Sequence, residues 1–407
     1  MKRKVVVTGI NTITSLGLTI DESWNNMLAG KSGVRRITLF DPSGLDTQIA
    51  AEVSADFNNY AQSYIKNRLS KQMTRVTRMG VVCAMEAIRK YQIDFDYYQK
   101  DRCGVIYGVV TTGNSSVEQG TTFKNTILKS MNNAMSAWIS LEYGFEGPNF
   151  TIATACASSA YAIGQAYDLI EANKADLIIV GGADSIINPE EIKGFNELFA
   201  LSTNNEFPEK ASRPFSKDRD GFVIGEGAGV LILENEETAK QRGGLILAEV
   251  AGYALTSEAY NILSPKAEGE GMYKCMKKAL EHAGITSNEI DHINAHGTST
   301  TLNDLYETIA IKKLMDNKAY HIPVISTKSM LGHTIGAAGT IESAITIKAI
   351  QEQRVHPTIN LTCPDPELNL DYVPEGARNV KINYALSNSF AFGGHNASIV
   401  LKKHQQN

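Results

Sequence analysis

The residues of this chain best suited to covalent chemistry are one cysteine and two histidines, each set among small neighbours. Cys156 stands in "TIATACASSAYAIG" (151–164), where an apolar, β-branched run gives way to small residues. His296 lies in "NAHGTSTTLND" and His333 in "STKSMLGHTIGAAGTIE". Beyond the cysteine, Ile163, Ala166, Tyr167 and Ile170 recur at helical spacing, which predicts a one-faced helix with Cys156 near its N-terminus. Unpaired amide N–H groups there carry partial positive charge and favour thiolate over thiol. Ala155, Ala157, Ser158 and Ser159 leave room for a substrate to approach. A cysteine that only filled a core would need neither feature. Both histidines follow strand-like runs beside glycine or small residues, where side chains point into a cleft. By contrast, His282, His292, His321, His356 and His404 fall in helical or polar connecting sequence and are expected to be solvated.

Positioning these groups falls to short apolar runs that alternate with helical stretches. "KVVVTG", "RCGVIYG", "NFTIATA", "ADLIIVGGAD" and "GAGVLILE" read as buried strands in the first part of the chain. "LILAEVAGYAL", "HINAHG", "PVISTKS", "NYALSNS" and "NASIVLKK" read the same way in the second. Such runs separated by helices predict α/β layers whose sheets are covered on both faces. The charged segment "ETAKQRGG" (237–244) separates two sets of strands, so the chain divides into halves, 1–243 and 244–407. The halves show no visible sequence identity, so a duplication would be one of structure.

Bulk properties narrow the classes. With 407 residues the chain exceeds the size at which single cores usually split, and its 43% hydrophobic, 20% charged composition is that of a globular protein. A net charge of −5 gives no basic footprint for nucleic acid. No apolar run approaches the ~20 residues of a membrane span. The start, "MKRKVVVTGI", has too short an apolar run for a signal peptide, so a cytoplasmic protein is expected. Five cysteines without a C-x-x-C pair argue against zinc and against a disulfide framework. Cys83, Cys103, Cys275 and Cys363 are expected to be structural. "TGINTITSLG" (8–17) lacks the G-x-G-x-x-G spacing of a dinucleotide site.

Taken together, "TACASS", "NAHGTST", "STKSMLGHTIGAAG" and "SNSFAFGGHNAS" resemble the signature blocks of type II β-ketoacyl-ACP synthases, in order. "ASRPFSKDRDGFVIGEGAG" and "PTINLTCPDPELNLDYVP" extend the resemblance over nearly the whole chain. It implies the thiolase fold, two similar αβα halves stacked into an αβαβα core, working as a dimer. It also implies a reaction: Cys156 takes an acyl chain from an acyl carrier protein, a malonyl thioester loses CO₂, and the enolate attacks the acyl-Cys156 carbonyl. His296 and His333 would donate hydrogen bonds to the thioester oxygen, and two neutral imidazoles suit this better than two cations. The new oxyanion would sit between the backbone N–H groups of Cys156 and Phe392. Lys328 and Glu342 would orient the histidines or a water, and Asp304 matches a carboxylate near the site. Thr298 and Thr300 would bind the phosphopantetheine arm, with Phe195, Phe390, Gly393 and Gly394 completing the substrate-binding set. Phe392 would gate the acyl pocket from a mobile loop. No metal and no resident cofactor are implied, since the substrates are carried on phosphopantetheine.

The sequence departs from the family in three places. Ala391 replaces the usual glycine between the phenylalanines of "FAFGG", which implies a stiffer gate. Phe199 stands where many relatives carry a basic residue that meets the acidic carrier protein, leaving Lys66, Lys71, Arg75 and Arg78 as docking positives. The stretch from Gly108 to "NNAMSAW", with "YGVVTTG" for the usual Gly-Ser-Gly, is shorter than in the housekeeping enzymes, leaving chain length and dimer partner open. "NDLYETIAIK", "AGYALTSEAY" and "DPELNLDYVP" also resemble the ketosynthase subunits of type II polyketide systems, which pair with a chain-length-factor subunit. Fatty acid and polyketide or polyene pathways therefore both fit, with a homodimer or a heterodimer. The alternative of a non-catalytic chain-length-factor-like subunit is disfavoured because such subunits lack the cysteine. A CoA-dependent thiolase would favour a second cysteine over His333, and a Cys–His hydrolase needs only one histidine.

Overall fold

The computed structural model describes residues 3–111 and 126–405. The ten apolar runs all form strands of one sheet: β1 Val5–Ile13, β2 Cys103–Gly108, β3 Asn149–Ile152, β4 Leu177–Asp184, β5 Gly227–Asn235, β6 Ala248–Ser257, β7 His292–Asn294, β8 Val324–Ile325, β9 Tyr384–Ala391 and β10 His395–Lys402. The strand order is β8-β7-β9-β10-β6-β1-β5-β4-β2-β3. Its two halves have the same internal plan. In β1-β5-β4-β2-β3 the first two pairings are antiparallel and the next two parallel. In β6-β10-β9-β7-β8 the same sequence of pairings recurs. The halves are stitched edge to edge by a short antiparallel match, Val6 with Glu249 and Val7 with Ala248.

Helices build the layers. One face of the first half carries α1 Arg75–Lys90 and α2 Ala134–Tyr143. Between the halves lie α3 Ser158–Glu171 and, from the second half, α6 Ala338–Glu352, which touch each other and strands of both halves. On the far face α4 Glu270–Ala283 and α5 Thr301–Met315 cover β6 and its neighbours. The result is the expected αβαβα stack. Its central core joins α3 and α6 to Ile10, Val180, Leu231 and Ile399, and separate cores fill the two outer interfaces.

The expected one-faced helix after Cys156 is instead buried nearly all round at its start, where Ser158, Ser159, Ala160, Ala162 and Gly164 are covered together with the apolar stripe. Small residues suit such a central helix because backbones must come close. A Cβ on Gly108 would stand 2.2 Å from the Ser158 carbonyl carbon, so only glycine lets α3 lie on β2. The segment "ETAKQRGG" is largely helical, Glu236–Gln241, rather than an open linker. Among the described residues no helix is long and apolar enough to cross a membrane.

The third strand of each half, β3 and β8, leads by a turn into a central helix. The turn after β3 carries Cys156. The one after β8 carries a one-turn helix, Lys328–Leu331, and then His333. The site is thus assembled from equivalent ends of the two halves.

Candidate active site

Cys156 sits in a tight reversal between β3 and α3. Ala157 N–H donates to the Thr154 carbonyl at 3.1 Å, and the Ser158 hydroxyl bonds the Ala155 carbonyl at 2.7 Å while accepting from Thr154 N–H at 2.9 Å. The turn forces Ala155 to φ 47°, a left-handed backbone that an alanine adopts at a cost of about 1 kcal/mol or more. Ile335, two residues past His333, is also left-handed at φ 50°, and for a β-branched side chain this is rarer still. Strain thus flanks both the thiol and one imidazole.

The two rings meet edge to face, centroids 5.3 Å apart at 84°. His333 is fixed by its backbone, N–H to the Val223 carbonyl at 2.7 Å and carbonyl to Gly225 N–H at 2.9 Å. Its Nδ1 accepts the Ile335 N–H at 3.2 Å, so the ring proton is on Nε2, which is buried with no partner among the described residues. His296 is held from behind by one acid, Glu307, and one cation, Lys328. Its N–H donates to Glu307 Oε1 at 2.8 Å and Gly297 N–H to Oε2 at 2.9 Å. The Lys328 ammonium donates to the His296 carbonyl at 2.8 Å, approaches Nδ1 at 3.3 Å and pairs with Glu342 at 2.5 Å. An ammonium facing Nδ1 leaves Nε2 as the protonated nitrogen here too. Burial, with the Lys328 charge, pushes both imidazoles well below their ordinary range, and His333 adds to the effect on His296. Both rings are therefore neutral Nε2–H donors.

The thiol differs from expectation. Burial pushes Cys156 up to about 12, Lys328 lowering it and Asp184 raising it further, while the backbone amides of Cys156 and Phe392 face the sulfur and favour its anion. The resting cysteine is thus protonated. Helix α3 begins two residues later, at Ser158, and its positive end does not offset the loss of water around a side chain only 8% exposed.

One cavity of about 540 Å³ brings together Cys156, His296, His333, Thr298, Thr300, Phe195, Phe390, Phe392 and Gly394. Thr298 and Thr300 share a hydroxyl hydrogen bond of 2.8 Å on its wall. Lys328 and Glu342 stand behind the histidines and do not line it. Gly393 does not line it either; its N–H donates to the Ile262 carbonyl at 2.7 Å. Gly393 and Gly394 take φ 80° and 71° in the turn between β9 and β10, which aims the Phe392 amide at the sulfur. Ala391 sits at φ −118°, extended backbone that alanine adopts freely. Asp304 lies outside the cavity and ties the Thr298 turn on its wall to the Phe215 segment, accepting Phe215 N–H at 2.9 Å and Thr298 N–H at 3.0 Å.

Three carboxyls escaped the sequence reading or gained a clearer place. Glu307 fixes the His296 turn, and Asp184, at the carboxyl end of β4, accepts N–H groups from Gly336 (2.9 Å), Val110 and Thr111 (both 3.2 Å). Burial pushes Asp184, Glu307 and Glu342 each up to about 7. The terminal Asp of "ADLIIVGGAD" was a readable signal, since a carboxylate ending a buried strand needs partners. Two histidines expected in solvent are buried: His292 bonds the Pro323 carbonyl, and His356 packs edge-on against Trp24. Arg75 is also misplaced as a docking residue, because it forks onto buried Glu226 at 2.5 and 2.9 Å, whereas Lys66 and Lys71 are exposed. Cys83, Cys103 and Cys275 are buried, and Cys363 is on the surface. Most of the shortened stretch after Gly108 (112–125) lies outside the described residues.

A five-layered αβαβα stack with a cysteine and two neutral histidines at matching strand ends defines a condensing enzyme of the thiolase-like fold. Residues 2–239 match the family described as Beta-ketoacyl synthase, N-terminal domain, and residues 247–362 match its C-terminal domain. The chain belongs to the β-ketoacyl synthase family. It is 41% identical over 414 residues to 3-oxoacyl-(acyl-carrier-protein) synthase 2 of Synechocystis sp., with 99% of each chain covered. Its structure is similar to that of a type II polyketide acyl-carrier protein in complex with its ketosynthase bound to the hexaketide, at a TM-score of 0.89, 32% identity, and 99% and 100% coverage. It is equally similar to the ishigamide ketosynthase/chain length factor, at a TM-score of 0.89, 31% identity and full coverage of both chains.

Proposed function

We propose that the chain is a β-ketoacyl-acyl-carrier-protein synthase in which Cys156 carries the acyl chain and His296 and His333 hold the enolate. The carrying observation is the His333 Nε2–H, buried and without a partner among the described residues, on a side chain that lines the same cavity as Cys156. In the first half-reaction the Cys156 sulfur attacks the acyl thioester carbonyl, the pantetheine thiol leaves with the proton, and the oxyanion accepts from the amides of Cys156 and Phe392. In the second, malonyl C–CO₂ bond cleavage leaves its electron pair in an enolate whose oxygen accepts both Nε2–H groups. The enolate carbon bonds to the acyl carbonyl carbon, and the Cys156 thiolate departs and is reprotonated. Fixed donors aimed at developing charge are worth about 3–4 kcal/mol each. Thr298 and Thr300 bind the pantetheine arm, and Phe195, Phe390, Phe392 and Gly394 bound the acyl chain. Lys328, Glu342 and Asp304 are positioning residues. No resident cofactor is required, because a thiol and two imidazoles supply every step.

The partner is an acyl carrier protein, the chain works in the cytoplasm, and a second subunit, identical or chain-length-factor-like, pairs along the free edge of β3. Exposed Ile127, Leu128 and Leu141 near that edge support the pairing. The halves 1–243 and 244–407 serve as its domains. Intact-mass analysis tests the site: Cys156→Ala is expected to take no acyl group, and His333→Ala is expected to be acylated yet to condense 10²–10³-fold more slowly. Acylated Cys156→Ala, or His333→Ala condensing at the wild-type rate, rejects the assignment.

A further inference from the structure

Asp184, the last residue of β4, is wholly buried behind the active-site cavity, and no step of the condensation uses it. Its carboxylate joins two segments that wall the cavity. Oδ2 accepts both the Gly336 N–H at 2.9 Å and the Val110 N–H at 3.2 Å, and Oδ1 accepts the Thr111 N–H at 3.2 Å. Val110 and Ile335, the residue before Gly336, line the cavity together with Cys156 and His333. The junction is tight. A Cβ on Gly336 would stand 2.5 Å from Oδ2 and 3.1 Å from the Val110 nitrogen, so only glycine brings its amide this close.

The Gly336 N–H belongs to the peptide that follows Ile335, whose backbone is held at φ 50°. A β-branched residue rarely adopts that region, and such strain persists only where surrounding contacts enforce it. Ile335 N–H in turn donates to His333 Nδ1 at 3.2 Å, the bond that leaves the ring proton on Nε2. Release of Gly336 would let Ile335 relax to an ordinary φ and carry its N–H away from the ring. The contacts therefore run from Asp184 through the Gly336 amide and Ile335 to the imidazole. The His333 backbone is fixed separately, against Val223 and Gly225, so Asp184 governs the ring rather than the place of the residue.

We infer that Asp184 is a positioning residue for the second half-reaction: it holds the turn that keeps the His333 proton on Nε2, and it holds that turn to the cavity wall at Val110. The inference rests on the condensing-enzyme reading and adds to it a residue that no step employs. Acylation needs no such support, because its oxyanion is met by the amides of Cys156 and Phe392. The charge of Asp184 even works against the first step, since it adds to the burial that raises the Cys156 thiol. Removing that charge should leave acylation intact or quicken it while condensation slows. A residue that served only the stability of the fold would slow both.

Asp184→Asn keeps the shape and one carbonyl oxygen but turns an NH₂ group toward at least one of the three amide donors. The half-reactions are timed separately at about pH 8, where a carboxyl pushed up to about 7 by burial is ionised. Intact mass follows acyl transfer from a pantetheine thioester to Cys156, and single-turnover kinetics follow condensation of the preloaded enzyme with a malonyl thioester. Acylation is expected within about twofold of wild type or faster. Condensation is expected to fall about tenfold or more, up to the 10²–10³-fold that loss of an oxyanion donor brings. In a His333→Ala background the same substitution should add less than about twofold, because the ring through which it acts is gone. Gly336→Ala, which drives a methyl group onto Oδ2, should reproduce the split and carries the test if Asp184→Asn does not fold. Condensation at the wild-type rate in either variant, equal slowing of both half-reactions, or full additivity with His333→Ala overturns the role of Asp184 alone. A wild-type chain that takes no acyl group on Cys156 overturns the condensing-enzyme reading itself.

Discussion

Lys328 is the residue whose removal should propagate furthest, because one buried ammonium fixes three groups. It bonds the His296 carbonyl, faces His296 Nδ1 and pairs with Glu342 at 2.5 Å, all at 2% exposure. Lys328→Met keeps the volume and deletes the charge. Glu342 is then a buried acid with no cation, and its Oε2 already has no partner. Breaking a buried pair from one side costs about 3–5 kcal/mol, mostly the penalty of the abandoned charge. The carboxyl, already pushed up to about 7, answers by holding its proton to higher pH. Neutralising both partners in Lys328→Met/Glu342→Gln should restore most of the loss.

The catalytic consequence has a separate signature. Without the ammonium, nothing holds the proton of His296 on Nε2, and the imidazole is free to turn its bare nitrogen toward the enolate. Condensation should then fall by about 10²–10³, the effect of deleting an oxyanion donor. The Lys328 charge also depresses both imidazoles, so both should titrate nearer their ordinary range in the variant. The condensation rate would thus acquire an acid limb that wild type lacks, whereas acylation of Cys156 should survive. Urea unfolding of the single and double variants and the pH dependence of single-turnover condensation supply the measurements. A Lys328→Met enzyme within about 1 kcal/mol of wild type, with no recovery in the double variant, would refute the ion-pair argument. An unchanged pH profile would refute the tautomer argument.

Other outcomes follow from the same geometry. Iodoacetamide should alkylate Cys156 at a rate that climbs with pH from 6 to 10 without levelling, because burial holds the thiol up to about 12; a plateau near pH 8 would contradict this. Asp184→Ala should cost about 3 kcal/mol or more, since three N–H donors lose their acceptor. Asp184→Asn should cost less because one carbonyl oxygen remains, and equal losses by thermal unfolding would count against the role. Stability should change little with pH between about 5.5 and 6.5, because two sets of buried groups oppose each other. His292, His296, His333 and His356 stay neutral when folded, so their contribution is present above the ordinary imidazole range and lost as pH falls. Asp184, Asp304, Glu307 and Glu342, each raised by burial, act with the opposite sign and lose theirs as pH rises, so four acids oppose four imidazoles. A urea midpoint that moves strongly in either direction between about pH 5.5 and 6.5 would upset the balance.

Most of the ten strands were legible because they are buried on both faces, which erases alternation and leaves a continuous apolar run, whereas β3 is only half-covered and β6 alternates. Cys156, His296 and His333 were legible for a related reason: each follows such a run, and strand ends are where side chains enter a cleft. The groups that orient them were harder to read. Glu307 and Asp184 act on backbone amides supplied by other segments, and an amide has no letter in the sequence. His292 was misread although it opens "HINAHG", itself a strand reading that implies burial, and His356 was misread because polar connecting sequence says nothing of a distant Trp24 closing over it. Arg75 failed for the same reason, since its charge is consumed by Glu226, far along the chain. The protonation of Cys156 was the sharpest miss. Local pattern placed a helix end near the sulfur but could not show that the Phe392 turn and the central helices exclude water from it.

A protonated nucleophile is consistent with this site once the two half-reactions are separated. A thiol pushed up to about 12 is almost wholly protonated at neutral pH, and with a Brønsted slope of about 0.4–0.5 the greater nucleophilicity of its anion offsets part of that scarcity. The anion is scarce but strong. The amides of Cys156 and Phe392 that face the sulfur are those that would face the carbonyl oxygen of an acyl thioester. Their stabilisation thus passes from sulfur to oxyanion along the attack. An electrophile that cannot place an oxygen between those amides gains nothing from them and meets a neutral thiol. A pantetheine thioester threaded past Thr300 and Thr298 gains both. Selectivity for the correct donor is then built into the burial that suppresses the thiolate, and opening the Phe392 turn to water should make Cys156 more reactive toward small alkylating agents and less discriminating.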